Sequence, residues 1–221
     1  MDGAILPAST SQVRVRPTSV LQLRVPFVLA SASPRRRDLL ERLGLAVDVR
    51  PTDTDETWPG GDPGAAVEAI ALRKATAAPA PGALVLGADT VVVLDGDVLG
   101  KPPTEAAARA TLRRLSGRTH TVYTGIALVC DGRVATDHRA TRVDFADLSD
   151  AEIEAYVATG SPMDKAGAYG IQDDAGALLV ARIDGDYPTV VGLPLRAFYE
   201  ALRAHFPDLV AGPAARDEPA P

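Results

Sequence analysis

Two serines and three arginines stand between a short apolar run and an amphipathic stretch in the segment Val28-Leu-Ala-Ser-Ala-Ser-Pro-Arg-Arg-Arg-Asp-Leu-Leu-Glu-Arg-Leu-Gly44. The pair Ser33-Pro34 is typical of an N-cap and the first position of a helix. The unpaired N–H groups of that helix would face the turn from Ser31 to Ser33, where Arg35 and Arg36 add donors for phosphate or carboxylate. Arginines that are only solvated are the alternative, but positive charges are unfavourable at the positive end of a helix dipole. The segment therefore predicts an anion-binding turn.

A single carboxylate interrupts the apolar run Leu84-Val-Leu-Gly-Ala-Asp-Thr-Val-Val-Val-Leu94, which predicts a buried strand. Burial of an unpaired charge costs several kcal/mol, so Asp89 requires a metal ion, a lysine or a raised pKa, all of which are common in active sites. A carboxylate that caps a neighbouring turn is the structural alternative. Thr90 should face the opposite side of the strand, unless Gly87 marks a bulge that turns both side chains toward one cleft.

The chain contains only three lysines, and each lies beside a structural break or a glycine-rich segment. Lys101 precedes two prolines, and Lys165 lies in Met163-Asp-Lys-Ala-Gly-Ala-Tyr-Gly-Ile-Gln172, where glycines allow close approach of the backbone to a ligand. Both suit neutralisation of phosphate by a compact charge, whereas Lys74 is equally consistent with a solvated helix face. Gln172 offers a donor and an acceptor, as the reading of a base edge requires.

Asp55 and Glu56, in the acidic loop Asp53-Thr-Asp-Glu-Thr57, are candidate ligands for Mg²⁺ or Mn²⁺, which bind phosphates through one or two carboxylates and water. A solvated acidic loop is the alternative, and an EF-hand is excluded because Trp58 stands where glycine is required. The three histidines have no metal-ligand spacing, and the chain lacks a Walker sequence and a dinucleotide fingerprint. The sequence thus combines a phosphate turn, a buried acid and lysines, without an obvious nucleophile.

Composition limits the class of protein. With 221 residues, of which 46% are hydrophobic, the chain is long enough for one sizeable core or for two small lobes around a cleft. A net charge of −6 argues against a nucleic-acid partner and against an anionic membrane surface. Cys130 is the single cysteine, which excludes an intramolecular disulfide. Together with the lack of a secretory signal or a membrane-spanning apolar run, this predicts a cytoplasmic protein.

Helical and strand patterns alternate with hairpin turns at Asp95-Gly96 and Asp131-Gly132, which predicts an α/β or α+β fold with a mixed sheet. We expect a single domain over 25–206, with loosely ordered tails at 1–24 and 207–221. The predicted helices begin near Pro34, Pro63, Glu105, Asp150 and Leu195, and the main predicted strands are 46–50, 84–94, 98–101, 121–130, 134–145 and 177–183.

Together these segments resemble the Maf family of nucleotide pyrophosphatases over most of the chain, from about Val28 to Leu195. The resemblance is carried by Leu29-Ala-Ser-Ala-Ser-Pro-Arg-Arg36, Gly87-Ala-Asp-Thr90, Leu99-Gly-Lys-Pro102, Leu115-Ser-Gly-Arg-Thr-His120, Tyr123-Thr-Gly125, Asp164-Lys-Ala-Gly-Ala-Tyr-Gly-Ile-Gln172 and the segment from Gly185 to Pro194. It implies a mixed twisted sheet with flanking helices, in two lobes around a central cleft as in the inosine triphosphatases. It also implies hydrolysis of a nucleoside triphosphate to the monophosphate and pyrophosphate, with Mg²⁺, Mn²⁺ or Co²⁺.

By the same resemblance, Asp89 would be the general base or would organise the metal with Asp55 or Glu56. Substrate choice would depend on Arg35, Thr90 and Gln172. The residues expected to surround the phosphates are Ser31, Ser33, Arg36, Lys74, Lys101 and Lys165.

The glycine-rich loop resembles that of members acting on dTTP and UTP, although Asp173-Asp-Ala175 replaces a shorter glycine-led segment and Asp55 stands where a relative has glutamate. The alternatives are a 7-methyl-GTP pyrophosphatase and a nucleotide-sensing regulator of septum formation without enzymatic activity. The expected partner is a nucleoside triphosphate, with no nucleic acid and no membrane, and a homodimer is compatible with the family.

Overall fold

The computed structural model describes residues 21–211, which form a mixed sheet with helices on both faces. The strands are β1 Gln22–Leu23, β2 Phe27–Leu29, β3 Val47–Val49, β4 Leu84–Leu94, β5 Asp97–Leu99, β6 Thr119–Cys130, β7 Arg133–Phe145, β8 Val180–Asp184 and β9 Val210–Ala211. The helices are α1 Pro34–Arg42, α2 Pro63–Thr76, α3 Glu105–Leu115, α4 Asp150–Ala158, α5 Asp174–Ala177, α6 Tyr187–Val191 and α7 Leu195–His205.

Strand β4 is the centre of the main sheet, whose order is β3-β2-β4-β6-β7-β8. Strand β2 runs parallel to β3 and β4, and the other pairs are antiparallel, so the predicted mixed sheet is confirmed. On one edge, β4 pairs with β2 up to Leu86 and with β5 from Val92 onward. Between these two residues, that edge has no strand partner within 21–211. This gap in the sheet is where a ligand can reach the backbone and side chains of β4.

Two hydrophobic clusters lie on either side of this gap, and β4 contributes to both. The first cluster packs α1 and α7 on the sheet through Leu40, Phe198 and Phe206. The second packs α3 and α4 against the far half of β4, with Leu112 and Ile153 among its buried residues. The protein therefore has the two-lobed α/β architecture expected from the sequence, with one long strand shared by the lobes.

Helix α2 lies unusually close to the sheet because two strand residues beneath it have no side chain. A Cβ atom at Gly87 would lie 2.1 Å from the carbonyl oxygen of Ala71, and one at Gly125 would lie 2.5 Å from the carbonyl carbon of Val67. The pairing of β4 with β6 is continuous through this region. Gly87 therefore marks the close approach of a helix, and the alternative of a bulge at this position is wrong.

Local sequence signals place most helix starts and turns correctly. Asp62 accepts a hydrogen bond from the N–H of Ala65, Thr104 caps α3 in the same way, and Ser149 forms a capping box with Glu152. Both predicted hairpins form, with Asp95-Gly96 and Asp131-Gly132 at positive φ. Most helices and strands thus begin within a few residues of their predicted positions.

Two local predictions need correction. Ser33 occupies the N-cap position of α1, but its side chain makes no capping hydrogen bond. The strand predicted over 177–183 begins only at Val180, because residues from Asp174 to Ala177 form α5. That helical turn packs closely on the preceding loop: a Cβ atom at Gly176 would lie 2.0 Å from the carbonyl oxygen of Gly170.

The chain ends also differ from the sequence expectation. Strands β1 and β9 pair as a small antiparallel sheet, with Gln22 opposite Ala211. Leu21 and Leu209 are buried in the first cluster. Residues 21–24 and 207–211, which we assigned to the tails, thus belong to the folded structure, and the rest of the predicted tails lies outside the described residues. None of the helices within 21–211 is long and apolar enough to cross a membrane.

A buried histidine anchors the second lobe. The Nε2 atom of His120 lies 2.8 Å from the hydroxyl of Tyr169, and its ring packs edge-on against Phe145 and Tyr169. Burial lowers the pKa of His120 to about 4, so the ring is neutral at physiological pH. Its Nδ1 atom has no hydrogen-bond partner within the described part of the chain.

We expect this histidine to make folding stability depend on pH. Between about pH 6.5 and pH 4 the unfolded chain binds a proton that the folded chain does not, so the free energy of unfolding decreases as pH falls through that window. A shift of this size corresponds to about 3 kcal/mol. The glutamine in His120→Gln cannot titrate. Between about pH 7 and pH 4.5, the free energy of unfolding measured in urea should therefore decrease less for this variant than for the wild type. His205→Gln, at an exposed histidine, should keep the wild-type difference; equal losses for His120→Gln and wild type would contradict the assignment.

Candidate active site

A cleft of about 770 Å³ opens at the gap in the edge of β4, between the two lobes. Its walls come from the start of α1, the middle of β4, the end of α2 and the loop that precedes α5. The cleft brings together all of the site residues predicted from the sequence except Asp55, namely Ser31, Ser33, Arg35, Arg36, Glu56, Lys74, Asp89, Thr90, Lys101, Lys165 and Gln172.

A buried ion pair occupies the centre of the cleft wall. The Nζ atom of Lys74 lies 2.7 Å from Oδ1 of Asp89 and 3.0 Å from Oε1 of Glu56. Lys74 is 6% exposed and Asp89 is 8% exposed, so the alternative of a solvated lysine is wrong. Partial burial acts to raise the pKa of Glu56, but the hydrogen bond and charge of Lys74 outweigh it and the net shift is downward. Lys74 thus supplies the positive charge that the buried carboxylate of Asp89 requires.

Arg36 is buried beneath the turn from Ser31 to Ser33 and is held by protein acceptors. Its guanidinium donates to the carbonyl of Gly192 at 2.8 Å, to Ser31 Oγ at 2.9 Å and to Thr90 Oγ1 at 3.1 Å. Burial lowers the pKa of Arg36, although the negative charge of Asp89 acts in the opposite direction. The side chain therefore joins α1, β4 and the end of α6, while its charge lies under the turn.

The hydroxyl of Thr90 is held by Arg36 and by Thr124. It lies 2.9 Å from the hydroxyl of Thr124, which in turn donates to the carbonyl of Thr189 at 2.8 Å. Thr124 faces Thr90 in the pairing of β4 with β6. Sequence reasoning gave this threonine no role, although it lies in the segment Tyr123-Thr-Gly125 that carries the family resemblance.

An acidic bridge spans the mouth of the cleft. Asp164 accepts from Arg35 at 2.9 Å and from Lys165 at 2.8 Å, and so links α1 to the loop of the other lobe. Partial burial acts to raise the pKa of Asp164, but hydrogen bonds from Lys165 and Arg35 outweigh it and lower the pKa. We did not predict Asp164 as a site residue, because its role appears only when the two lobes face each other.

The other lysines differ in their availability to a ligand. Lys165 is nearly buried and donates to the carbonyl of Ser161 at 2.7 Å as well as pairing with Asp164 and Asp173. Lys101 is exposed in the cleft and forms no hydrogen bond or ion pair with other residues of 21–211. Lys101 is therefore the cation best able to meet an incoming phosphate.

Comparison with known proteins shows which family the chain belongs to. Residues 26–205 match the family model described as Maf-like protein. The chain belongs to the Maf family. A Maf relative from Salinibacter ruber, named dTTP/UTP pyrophosphatase, is 53% identical over 89% of this chain and 98% of its own length. Another of the same name, from Moorella thermoacetica, is 58% identical over 80% of this chain and 93% of its own. The solved structure of the Staphylococcus aureus Ham1 protein has a TM-score of 0.40 and 19% identity, and covers 55% of this chain and 72% of that one.

The acids of this Maf protein fit a cation that is shared with a substrate. Asp89 and Glu56 converge on Lys74, and two carboxylates completed by phosphate oxygens and water are a usual donor set for Mg²⁺. Asp55 lies outside the cleft lining, with Oδ1 accepting from the N–H of Thr57 at 2.8 Å, and hydrogen bonds from Thr57 lower its pKa. Within 21–211, no three His, Cys, Asp or Glu side chains cluster as an all-protein metal site.

The neighbouring residues Arg35 and Arg36, at the start of α1, should differ sharply in their contribution to stability. Arg36→Lys should lower the free energy of unfolding by about 2–4 kcal/mol, because an ammonium cannot reach all three buried acceptors at once. Arg35→Lys should lower it by less than about 1 kcal/mol, because that ion pair is only partly buried and a lysine can still pair with Asp164. Urea unfolding of both variants measures the difference, and equal losses would contradict the structural role of Arg36.

Proposed function

We propose that this protein hydrolyses dTTP and UTP to the nucleoside monophosphate and pyrophosphate, and so removes unwanted nucleotides from the cellular pool. The observation that carries the proposal is the buried Lys74–Asp89 pair, with Glu56 beside it, in a cleft bordered by an anion-binding turn. Its support includes the name shared by relatives that match most of the chain. We place the activity in the cytoplasm, with the nucleotide as partner and without nucleic acid or membrane.

The residues of the chain suggest how the reaction proceeds. The N–H groups and hydroxyls of the turn from Ser31 to Ser33 bind phosphate oxygens at the start of α1. Asp89 accepts the proton of a water molecule that attacks the α-phosphorus of the substrate. Lys74 orients Asp89 through their hydrogen bond of 2.7 Å. The bond between the α and β phosphates breaks, and Lys101 neutralises charge on the departing pyrophosphate. A divalent cation held by Asp89 and Glu56 would neutralise phosphate charge and lower the pKa of water.

A pyrophosphate-release screen tests the substrate class directly. We expect the highest kcat/KM for dTTP and UTP when Mg²⁺, Mn²⁺ and Co²⁺ are supplied in turn. A preference for 7-methyl-GTP would instead indicate the other subfamily. Tight nucleotide binding without pyrophosphate release under any of the three cations would favour a sensor of nucleotides over an enzyme.

Replacement of the buried acid tests the mechanism. Asp89→Asn should reduce kcat/KM for dTTP by at least about 100-fold, because the amide cannot accept the proton of water. Asp208→Asn is the matched control, since it removes one carboxylate from the exposed ion pair with Arg133, on β7 and outside the cleft lining. Wild-type activity in Asp89→Asn would overturn the proposed role of Asp89.

Variants of Glu56 and Asp55 test which of the two acids binds the metal together with Asp89. Glu56→Gln should raise the Mn²⁺ concentration required for half-maximal dTTP hydrolysis by about tenfold or more, because it removes a charged oxygen beside Asp89. Asp55→Asn should leave that concentration nearly unchanged, because its carboxylate is hydrogen-bonded to Thr57 outside the cleft. The reverse result would assign the metal to Asp55.

A further inference from the structure

The residue after Gln172 is an aspartate whose two oxygens are both engaged beside the cleft. Oδ1 of Asp173 accepts from Nε2 of Gln172 at 2.8 Å. Oδ2 lies 3.2 Å from Nζ of Lys165 and also accepts from the hydroxyl of Ser161. Asp173 stands at the N-cap position of α5 but makes no capping hydrogen bond with its side chain. Its carboxylate therefore serves the neighbouring side chains and not the helix.

This carboxylate determines which way the Gln172 amide points. An ionised carboxylate only accepts hydrogen bonds, so it attracts the NH₂ group of the amide and repels its oxygen. Lys165 holds Asp173 in place through the contact of its Nζ atom with Oδ2. Within 21–211, Oε1 of Gln172 has no hydrogen-bond partner, and the residue lines the cleft. The amide is thus fixed with its acceptor available to a ligand.

The backbone beneath these side chains is shaped to fit them. A Cβ atom at Gly170 would lie 2.6 Å from Cε of Lys165, 2.7 Å from Oδ2 of Asp173 and 2.8 Å from Nε2 of Gln172. The three side chains therefore occupy the space that a side chain at Gly170 would fill. This close packing opposes rotation of the amide, and the orientation set by Asp173 is retained.

We propose that Asp173, supported by Lys165, orients Gln172 so that Oε1 accepts a hydrogen bond from the N3–H of uracil or thymine. Cytosine has an unprotonated N3, whose lone pair would face Oε1 without a hydrogen between them. Asp173 is then a positioning residue for base selection, and Lys165 acts on the base through it. This inference rests on the proposed function, because it takes a pyrimidine triphosphate as the substrate.

Kinetics with UTP and CTP test the inference, because these nucleotides differ only on the base edge in question. Asp173→Asn should reduce the ratio of kcat/KM for UTP to that for CTP by about tenfold or more, since an asparagine can pair with either orientation of the Gln172 amide. The change should come mainly from KM, with kcat for UTP within about threefold of wild type. Asp208→Asn should keep the wild-type ratio.

A double-mutant cycle separates base selection from a purely structural role. Gln172→Leu removes the acceptor and should reduce the UTP-to-CTP ratio by a similar factor, after which adding Asp173→Asn should have no further effect. An unchanged ratio in Asp173→Asn, or equal loss of kcat for both nucleotides, would overturn the inference. If Asp173→Asn does not fold, Gln172→Leu alone tests the inference. An unchanged UTP-to-CTP ratio in that variant overturns the inference, and a reduced ratio supports it.

The wild-type protein distinguishes the two proposals before any variant is compared. A wild type that releases no pyrophosphate from UTP, or that prefers CTP, would refute the proposed function and the inference that rests on it. A wild type that prefers UTP, together with an Asp173→Asn variant that retains this preference, would refute only the role of Asp173.

Discussion

The buried ion pair between Lys74 and Asp89 is the interaction on which the site depends. A carboxylate inside a sheet and a lysine on a helix can meet only if the helix lies almost on the strands, and Gly87 and Gly125 permit that approach. Loss of Lys74 would leave Asp89 buried without its ion-pair partner, at a cost of several kcal/mol, whereas loss of Asp89 would leave Lys74 paired with Glu56 alone. The close packing of α2, the glycines of β4 and β6, and the chemistry of the cleft are therefore parts of one constraint.

The cleft carries its own counter-ions, which limits what a polyanion gains by binding. Arg35 is paired with Asp164, and Lys165 with Asp164 and Asp173. A phosphate that met these cations would have to replace protein carboxylates, so only the difference between the two interactions would contribute to affinity. Lys101 imposes no such exchange, because it has no hydrogen bond or ion pair within 21–211. This favours Lys101 as the first cation that an incoming phosphate would meet.

Structural features that depend on residues close in sequence were predictable, whereas contacts between distant segments were not. The lone carboxylate in an apolar strand identified Asp89, and capping residues located α2, α3 and α4. The sequence could not predict whether Asp55 or Glu56 lines the cleft. A hydrogen bond from Thr57 holds Asp55, and the position of α2 brings Lys74 to Glu56. The pairing of β1 with β9 was missed because it joins segments at opposite ends of the described chain.

The adjacent residues Asp164 and Lys165 link Arg35 to Asp173 across the cleft. Asp164 contacts Arg35 at the start of α1, and Lys165 contacts Asp173, which holds the amide of Gln172. Since Lys165 also pairs with Asp164, a phosphate that drew Arg35 away from Asp164 would leave Lys165 as the remaining cation beside that acid. Loss of the Arg35 contact would then alter the electrostatic balance around Lys165 and Asp173. Lysine is suited to this position because its ammonium donates to several oxygens at once.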